Sequence, residues 1–164
     1  MLTPSAEQCY VKGLHAMSSG RGREAMALFE AAIRIEWKSR VTAPQARYLS
    51  YFGLCLALER NENREALRFC RQAVTLEGYN PDIRCNLGRV LLNAGRRYAA
   101  HRCFLRGLES EPGHRAIRRA LQAMGTRSRP TVPFLPRGNP VNVFLGRLRA
   151  SAGRAGNGSR PAGR

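Results

Sequence analysis

Residues 81–112 read PDIRCNLGRVLLNAGRRYAAHRCFLRGLESEP. Within this stretch Leu87-Gly88 is followed by Leu91, Gly95, Ala100, Phe104, Gly107 and Pro112. Ala100, Phe104 and Gly107 run small, bulky, small at spacings of four and three, which places them on one face of a helix. Gly88 lies 12 residues before Ala100 in a preceding helical segment, and Ala94-Gly95 falls between the two as a turn. The stretch is therefore a predicted helical hairpin, with a small residue on each helix that permits close approach.

The same frame occurs twice upstream, as Ala25, Phe29, Ala32 and as Ala66, Cys70, Ala73. The second frame precedes the third by 34 residues and follows the first by 41, so about seven residues are inserted, expected within Lys38–Ala43. Gly13 and Gly53 stand 12 and 13 residues ahead of their frames, with turns at Ser18-Ser19-Gly20 and Arg60-Asn61. One hairpin cannot bury its own apolar face, so three in register imply a stack.

In these residues the chain resembles the tetratricopeptide repeat family. The third unit holds the family's small and bulky positions throughout. The first keeps Gly13, Gly20, Ala25, Phe29 and Ala32, with Trp37 where the closing proline falls. The second keeps Gly53, Ala66 and Ala73, with Cys70 in the aromatic place. The resemblance covers roughly residues 5–112 and implies an all-α, right-handed α-solenoid of three hairpins with a C-terminal capping helix. That cap is expected at His114–Met124, where Ile117, Leu121 and Met124 form one stripe that stops at Gly125.

The resemblance also implies that the first helices line a groove for a partner's peptide or helix. Carried onto this sequence, the first unit contributes Glu7, Tyr10, Leu14 and Met17, and the second Arg47, Ser50 and Leu54. The third contributes Asp82, Cys85, Arg89 and Asn93, and the last helix Arg115 and Arg119. Four bases against two acids favour a mildly acidic or carboxylate-bearing ligand. The family's Lys/Asn/Arg clamp for chaperone C-termini is not reproduced: Tyr10, Leu14, Tyr51 and Asp82 occupy its places. Small three-repeat chains of this kind also resemble the type III secretion translocator chaperones, which are acidic where this chain is basic.

Local chemistry suggests the element starts. Thr3-Pro4 reads as the opening of the first helix with Pro at its tolerated N-terminal position. Thr42-Ala43-Pro44-Gln45 reads as a capping box for the third, and Asn80-Pro81-Asp82 as the cap of the fifth.

The 164 residues carry a formal charge of +17, and 26 of the 28 basic side chains are arginine. Arginine abundance has two readings: a polyanion partner, or GC-rich coding shared with Ala, Gly and Pro. Residues 1–125 hold 20 bases and 11 acids, whereas residues 126–164 hold eight Arg and no acid. The latter segment is rich in Gly, Pro and Ser, so a boundary is expected near Gly125 between a repeat domain and a basic tail. Within the tail, Phe134-Leu135 follows a proline-rich run. Val141, Phe144, Leu145 and Leu148 then share a helical face after Asn139-Pro140. So short a helix orders only on a surface: the repeat domain, another protein or an anionic membrane face.

At 43% hydrophobic the chain is not wholly disordered, and no run approaches the roughly 18 apolar residues of a membrane span. Met1–Gly13 lacks a secretory apolar core, and the location expected is cytoplasmic. Cys9, Cys55, Cys70, Cys85 and Cys103 are odd in number and at least 15 apart, which suits reduced apolar packing rather than disulfides or zinc. His101 and Cys103 are two apart, a poor ligand pair on a helix. No phosphate loop, His-Glu-x-x-His or Gly-x-Ser-x-Gly occurs, so neither catalysis nor a cofactor is expected. The expectation is a non-enzymatic protein-interaction adaptor, scaffold or assembly chaperone. A nucleic-acid or ribosome contact, or a membrane anchor, through the tail is the alternative.

Overall fold

A computed structural model of the chain describes residues 4–39 and 44–125. The tail residues Phe134, Leu135, Val141, Phe144, Leu145 and Leu148, and segment 40–43, lie outside them. The described residues form seven helices and no strand. In chain order these are α1 (Ala6–Ser18), α2 (Gly22–Lys38), α3 (Ala46–Arg60), α4 (Asn63–Leu76), α5 (Pro81–Asn93), α6 (Arg97–Ser110) and α7 (Arg115–Met124). Successive helices pair as hairpins, α1 with α2, α3 with α4 and α5 with α6, and each hairpin packs on the next. The fold is an all-α helical repeat.

Glycine and its partner ring set the hairpin spacing. Phe29 and Phe104 are fully buried, and each lies flat against the glycine of its partner helix. A Cβ at Gly13 would lie 2.6 Å from Cε1 of Phe29, and one at Gly88 would lie 2.7 Å from Cδ1 of Phe104. In the middle hairpin Cys70 replaces the ring, and its sulfur shares the contact with a backbone carbonyl. A Cβ at Gly53 would meet the Cys70 sulfur at 2.8 Å and the Ala66 carbonyl oxygen at 2.9 Å. Phe29 also reaches the next hairpin, its ring 5.5 Å from that of Tyr51.

Position in the stack decides how each helix is coloured. The central α3 packs against α2, α4 and α5 and buries residues on every side, among them Tyr48, Leu49, Leu54 and Cys55. The terminal α7 fully buries only Ile117, whose Cδ1 lies 2.5 Å from a Cβ placed on Gly107. Ala120, Leu121 and Met124 are partly buried beside it, while Arg115, Arg118, Arg119 and Gln122 give the helix the polar outer face an end cap needs.

The turns follow the expected chemistry. Gly20, Gly95 and Gly125 take left-handed φ of 74°, 73° and 69°, and Asn61 takes 57°. Asn80 caps α5 by accepting from the Asp82 and Ile83 amides, with Pro81 at the first helical position. Two other starts differ from the sequence reading. Pro4 is outside α1; Ser5 is the N-cap and forms a reciprocal capping box with Gln8. At α3 the N-cap is Gln45, which makes no side-chain cap bond. Instead the buried Glu36 carboxylate, from the preceding hairpin, accepts from the Gln45 amide at 2.6 Å. Part of the insertion is helical, because α2 has 17 residues where α4 and α6 have 14.

The ring-on-glycine contact is open to a double-mutant cycle. Phe104→Ala should cost about 3–5 kcal/mol. Gly88→Ala should cost about 1–3 kcal/mol by overpacking, despite alanine's better helix propensity. Truncating the ring makes room for the methyl group, so the double variant should lose clearly less than the sum in urea denaturation. Additive losses would mean that the two residues do not touch.

Candidate functional site

The first helices α1, α3 and α5, with α7, form one layer of the stack. Two zones of that layer collect most of the expected groove residues.

The first zone is aromatic. Tyr10 lies 5.9 Å from Phe29, 5.1 Å from Tyr48 and 5.8 Å from Tyr51 between ring centroids. Arg47 covers the cluster, its guanidinium 4.9 Å above Tyr10 and 5.3 Å above Tyr48. The same guanidinium pairs with Glu7 at 2.6 Å, and Nε donates to Gln45. The Tyr48 hydroxyl donates to the same Glu7 oxygen at 2.8 Å. Burial, then the bond to Glu7, pushes the Tyr48 phenol up to about 12. Burial pushes the Tyr51 and Tyr10 phenols up as well. Arg47 is thus engaged from below by rings and from the side by a carboxylate. Leu14, half-buried, packs against this core.

The second zone is a cleft between α5 and α7 of roughly 590 Å³. Cys85, Leu92, Ala120 and Met124 supply its apolar lining, and Arg89, Arg97 and Arg119 its charge. No acidic side chain lines it. Arg97 also donates to the Met124 carbonyl oxygen at the end of α7. The surroundings reinforce the sign: residues 81–124 carry nine arginines against Asp82, Glu109 and Glu111. Asp82 is exposed and pairs with His114 at 3.0 Å. His114 Nδ1 accepts from the Ile117 amide, so Nε2 carries the proton and donates to Asp82. That pair ties the start of α5 to the start of α7 and holds the cleft's two walls in register.

Other expected residues are placed elsewhere. Ser50 and Leu54 have no exposed surface, which removes them from any ligand-contacting set. The physical reason is that α3 is enclosed by three neighbouring helices, and Ser50 spends its hydroxyl on Asn86 of α5 at 3.1 Å. Asn93 keeps an exposed backbone position, but its amide donates to the Ala57 carbonyl and to Asn61 and Asn63, stitching the third hairpin to the second. Arg115 is exposed and does not line the cleft. Arg97 and Met124 belong to it without a sequence signal, since one opens a second helix and the other ends the cap.

All five cysteines are buried free thiols. Burial pushes Cys85 up to about 11 and Cys55 and Cys70 up to about 12, so none of these three is a thiolate near neutrality. No group of three His, Cys, Asp or Glu among the described residues is arranged to hold a metal ion. No described helix is long and apolar enough to cross a membrane.

Residues 57–124 match the family model described as tetratricopeptide repeat. No curated protein matches the chain. Among solved structures, the Sgt2 TPR domain from Aspergillus fumigatus is similar at 18% identity and a TM-score of 0.60, covering 99% of this chain and 89% of that one. The Arabidopsis OM64 TPR domain is similar at 19% identity and 0.59, covering 73% and 93%. PcrH in complex with the chaperone binding region of PopB is similar at 20% identity and 0.55, covering 73% and 93%. At these identities the likeness is one of fold.

The buried phenols and thiols predict an alkaline limit to stability. Tyr48 is raised from 10.0 to about 12, Cys55 and Cys70 from 9.0 to about 12, and Cys85 from 9.0 to about 11. The unfolded chain releases these protons first, so the folded state holds more of them in that window. Their contribution is complete below about pH 9 and is lost as pH rises toward 12. Urea midpoints recorded across this range should fall steadily above pH 9; constant midpoints would contradict the buried placement.

Proposed function

We propose that this chain, whose residues 57–124 match the tetratricopeptide repeat family model, is a non-enzymatic adaptor or assembly chaperone. It grips an acidic, partly apolar segment of a partner protein between α5 and α7. The supporting observation is the cleft of Arg89, Arg97 and Arg119 over Cys85, Leu92 and Met124, with no carboxylate to answer the three charges. Arginine forks bond carboxylates bidentately, and the apolar lining takes up a hydrophobic side chain between them. A precedent for this use of the fold is PcrH, solved with the chaperone binding region of PopB. Five buried free thiols fit a reducing location, the cytoplasm.

The arrangement favours the third repeat and cap over the aromatic zone. Arg47 already has a carboxylate partner in Glu7, so a ligand there would have to displace it. Arg89 and Arg119 have no acidic partner among the described residues. The nucleic-acid and membrane readings concern residues 126–164, outside the described residues, so the cleft carries the assignment.

Charge reversal tests it. Arg89→Glu with Arg119→Glu should leave the helical content unchanged, because both side chains are exposed. Partner proteins retained by the wild-type chain from a nuclease-treated lysate should bind the double variant about tenfold more weakly or worse. Retention of the same partners at unchanged affinity would sink the cleft as the binding site. Loss of every wild-type partner on nuclease treatment alone would sink the adaptor reading itself.

A further inference from the structure

The other layer of the stack, formed by the second helices, holds two grooves at equivalent places in consecutive repeats. The first lies between α2 and α4, with α3 as its floor. It is lined by Trp37, Phe52 and Phe69, and its charges answer one another. Arg34 pairs with Glu30 at 2.6 Å, and Arg60 stands 3.9 Å from Glu62. The second lies between α4 and α6, with α5 as its floor, and has a volume of roughly 340 Å³. Its apolar surface comes from Val74, Leu87, Leu91 and the exposed ring of Tyr98. Its charged residues are Arg84, Arg102 and Arg106, and no acid lines it.

The repeat supplies the groove twice, so groove shape follows from the fold. The difference in charge does not. Arg102 and Arg106 sit one turn apart on α6, where like charges repel, and neither has a carboxylate partner among the described residues. Arg84 is held in place: its Nε donates to the Gly78 carbonyl, and its stem packs beside Gly107. A fixed arginine, two exposed ones and an apolar floor with an aromatic rim describe a receptor for carboxylates beside a hydrophobic anchor.

We propose that the α4–α6 groove is a second docking site, for an acidic segment of a partner protein. An aromatic or aliphatic side chain of that segment enters over Leu87 and Leu91 beside Tyr98. Flanking Asp or Glu carboxylates bond Arg102 and Arg106 and relieve their mutual repulsion. The site shares α5 with the cleft but uses the opposite layer, so the chain can hold two acidic segments at once and bridge them. This site stands whether or not the cleft reading does.

Selection of random linear peptides on the full chain, with two charge-reversal variants as counter-screens, tests the proposal. One variant carries Arg102→Glu and Arg106→Glu; the other carries Arg89→Glu and Arg119→Glu. A class of peptides should emerge with Asp or Glu beside an aromatic or aliphatic residue. Labelled synthetic copies should bind the α6 variant about tenfold more weakly in fluorescence anisotropy, yet bind the cleft variant as they bind wild type. Arg102→Lys with Arg106→Lys should recover part of the affinity, and circular dichroism should show every variant folded. The proposal is overturned if no selected peptide is sensitive to the α6 charges alone, or if those that are carry no acid. It is also overturned if a labelled polyuridine RNA, and no peptide, responds to the α6 variant, because the occupant would then be nucleic acid.

Discussion

A ring lying flat on a glycine sets the distance between the two helices of a hairpin, and the rest of the array depends on that distance. Phe29 on Gly13 and Phe104 on Gly88 leave no space for a Cβ, and at Gly53 the Cys70 sulfur and the Ala66 carbonyl leave none either. Interiors are close-packed, so such contacts have little room to adjust. Every inter-hairpin surface inherits its curvature and depth from them. The hydrogen bonds that cross hairpins then choose one register: Glu36 to the Gln45 amide, Asn93 to the second turn, and His114 to Asp82. Buried polar groups cost a great deal unless partnered, and no buried side-chain polar atom among the described residues lacks a partner.

With spacing settled by a few residues, the surfaces are free to differ from repeat to repeat. The grooves of the second-helix layer make the point most clearly. One holds acids beside its bases, paired with near neighbours in the chain, and its repeat-related copy carries three arginines alone. The first-helix layer divides the same way. Around Tyr10 a single arginine is absorbed by Glu7 and two rings, whereas around Cys85 three arginines are left without acids. The positive charge of the array is therefore concentrated by position. It gathers on the third repeat and cap, where both proposed acidic ligands bind.

The hairpins, their turns and the cap are legible in the sequence because each rests on local rules. Small and bulky residues at fixed spacing mark the helix faces, and left-handed turns demand Gly or Asn, as Gly20, Asn61 and Gly95 show. The helix starts are less legible. A proline or a Ser/Thr-x-x-Glu/Gln pattern advertises a cap that a neighbouring residue takes over, as Ser5 does from Pro4. The α3 start is beyond local reading altogether, since its cap comes from a buried carboxylate nine residues upstream in another helix. Groove residues are the least legible. Their offset within a helix is periodic, but their exposure depends on how many neighbours enclose that helix. Ser50 and Cys85 hold the same offset in consecutive units; Ser50 is sealed by an Asn86 bond, and Cys85 lines a cleft.

By itself the sequence determined a three-hairpin helical repeat with a polar-backed cap, because helical periodicity, glycine conformation and ring size act over a few residues. It also determined an excess of arginine. Only the tertiary structure decided which arginines stand without acids. Pairing across hairpins depends on helices some 40 residues apart, as Arg47 and Glu7 are. That separation in the chain and closeness in space is why the charge of a whole sequence says so little about any one surface, and why the binding surfaces emerge only once the stack is built.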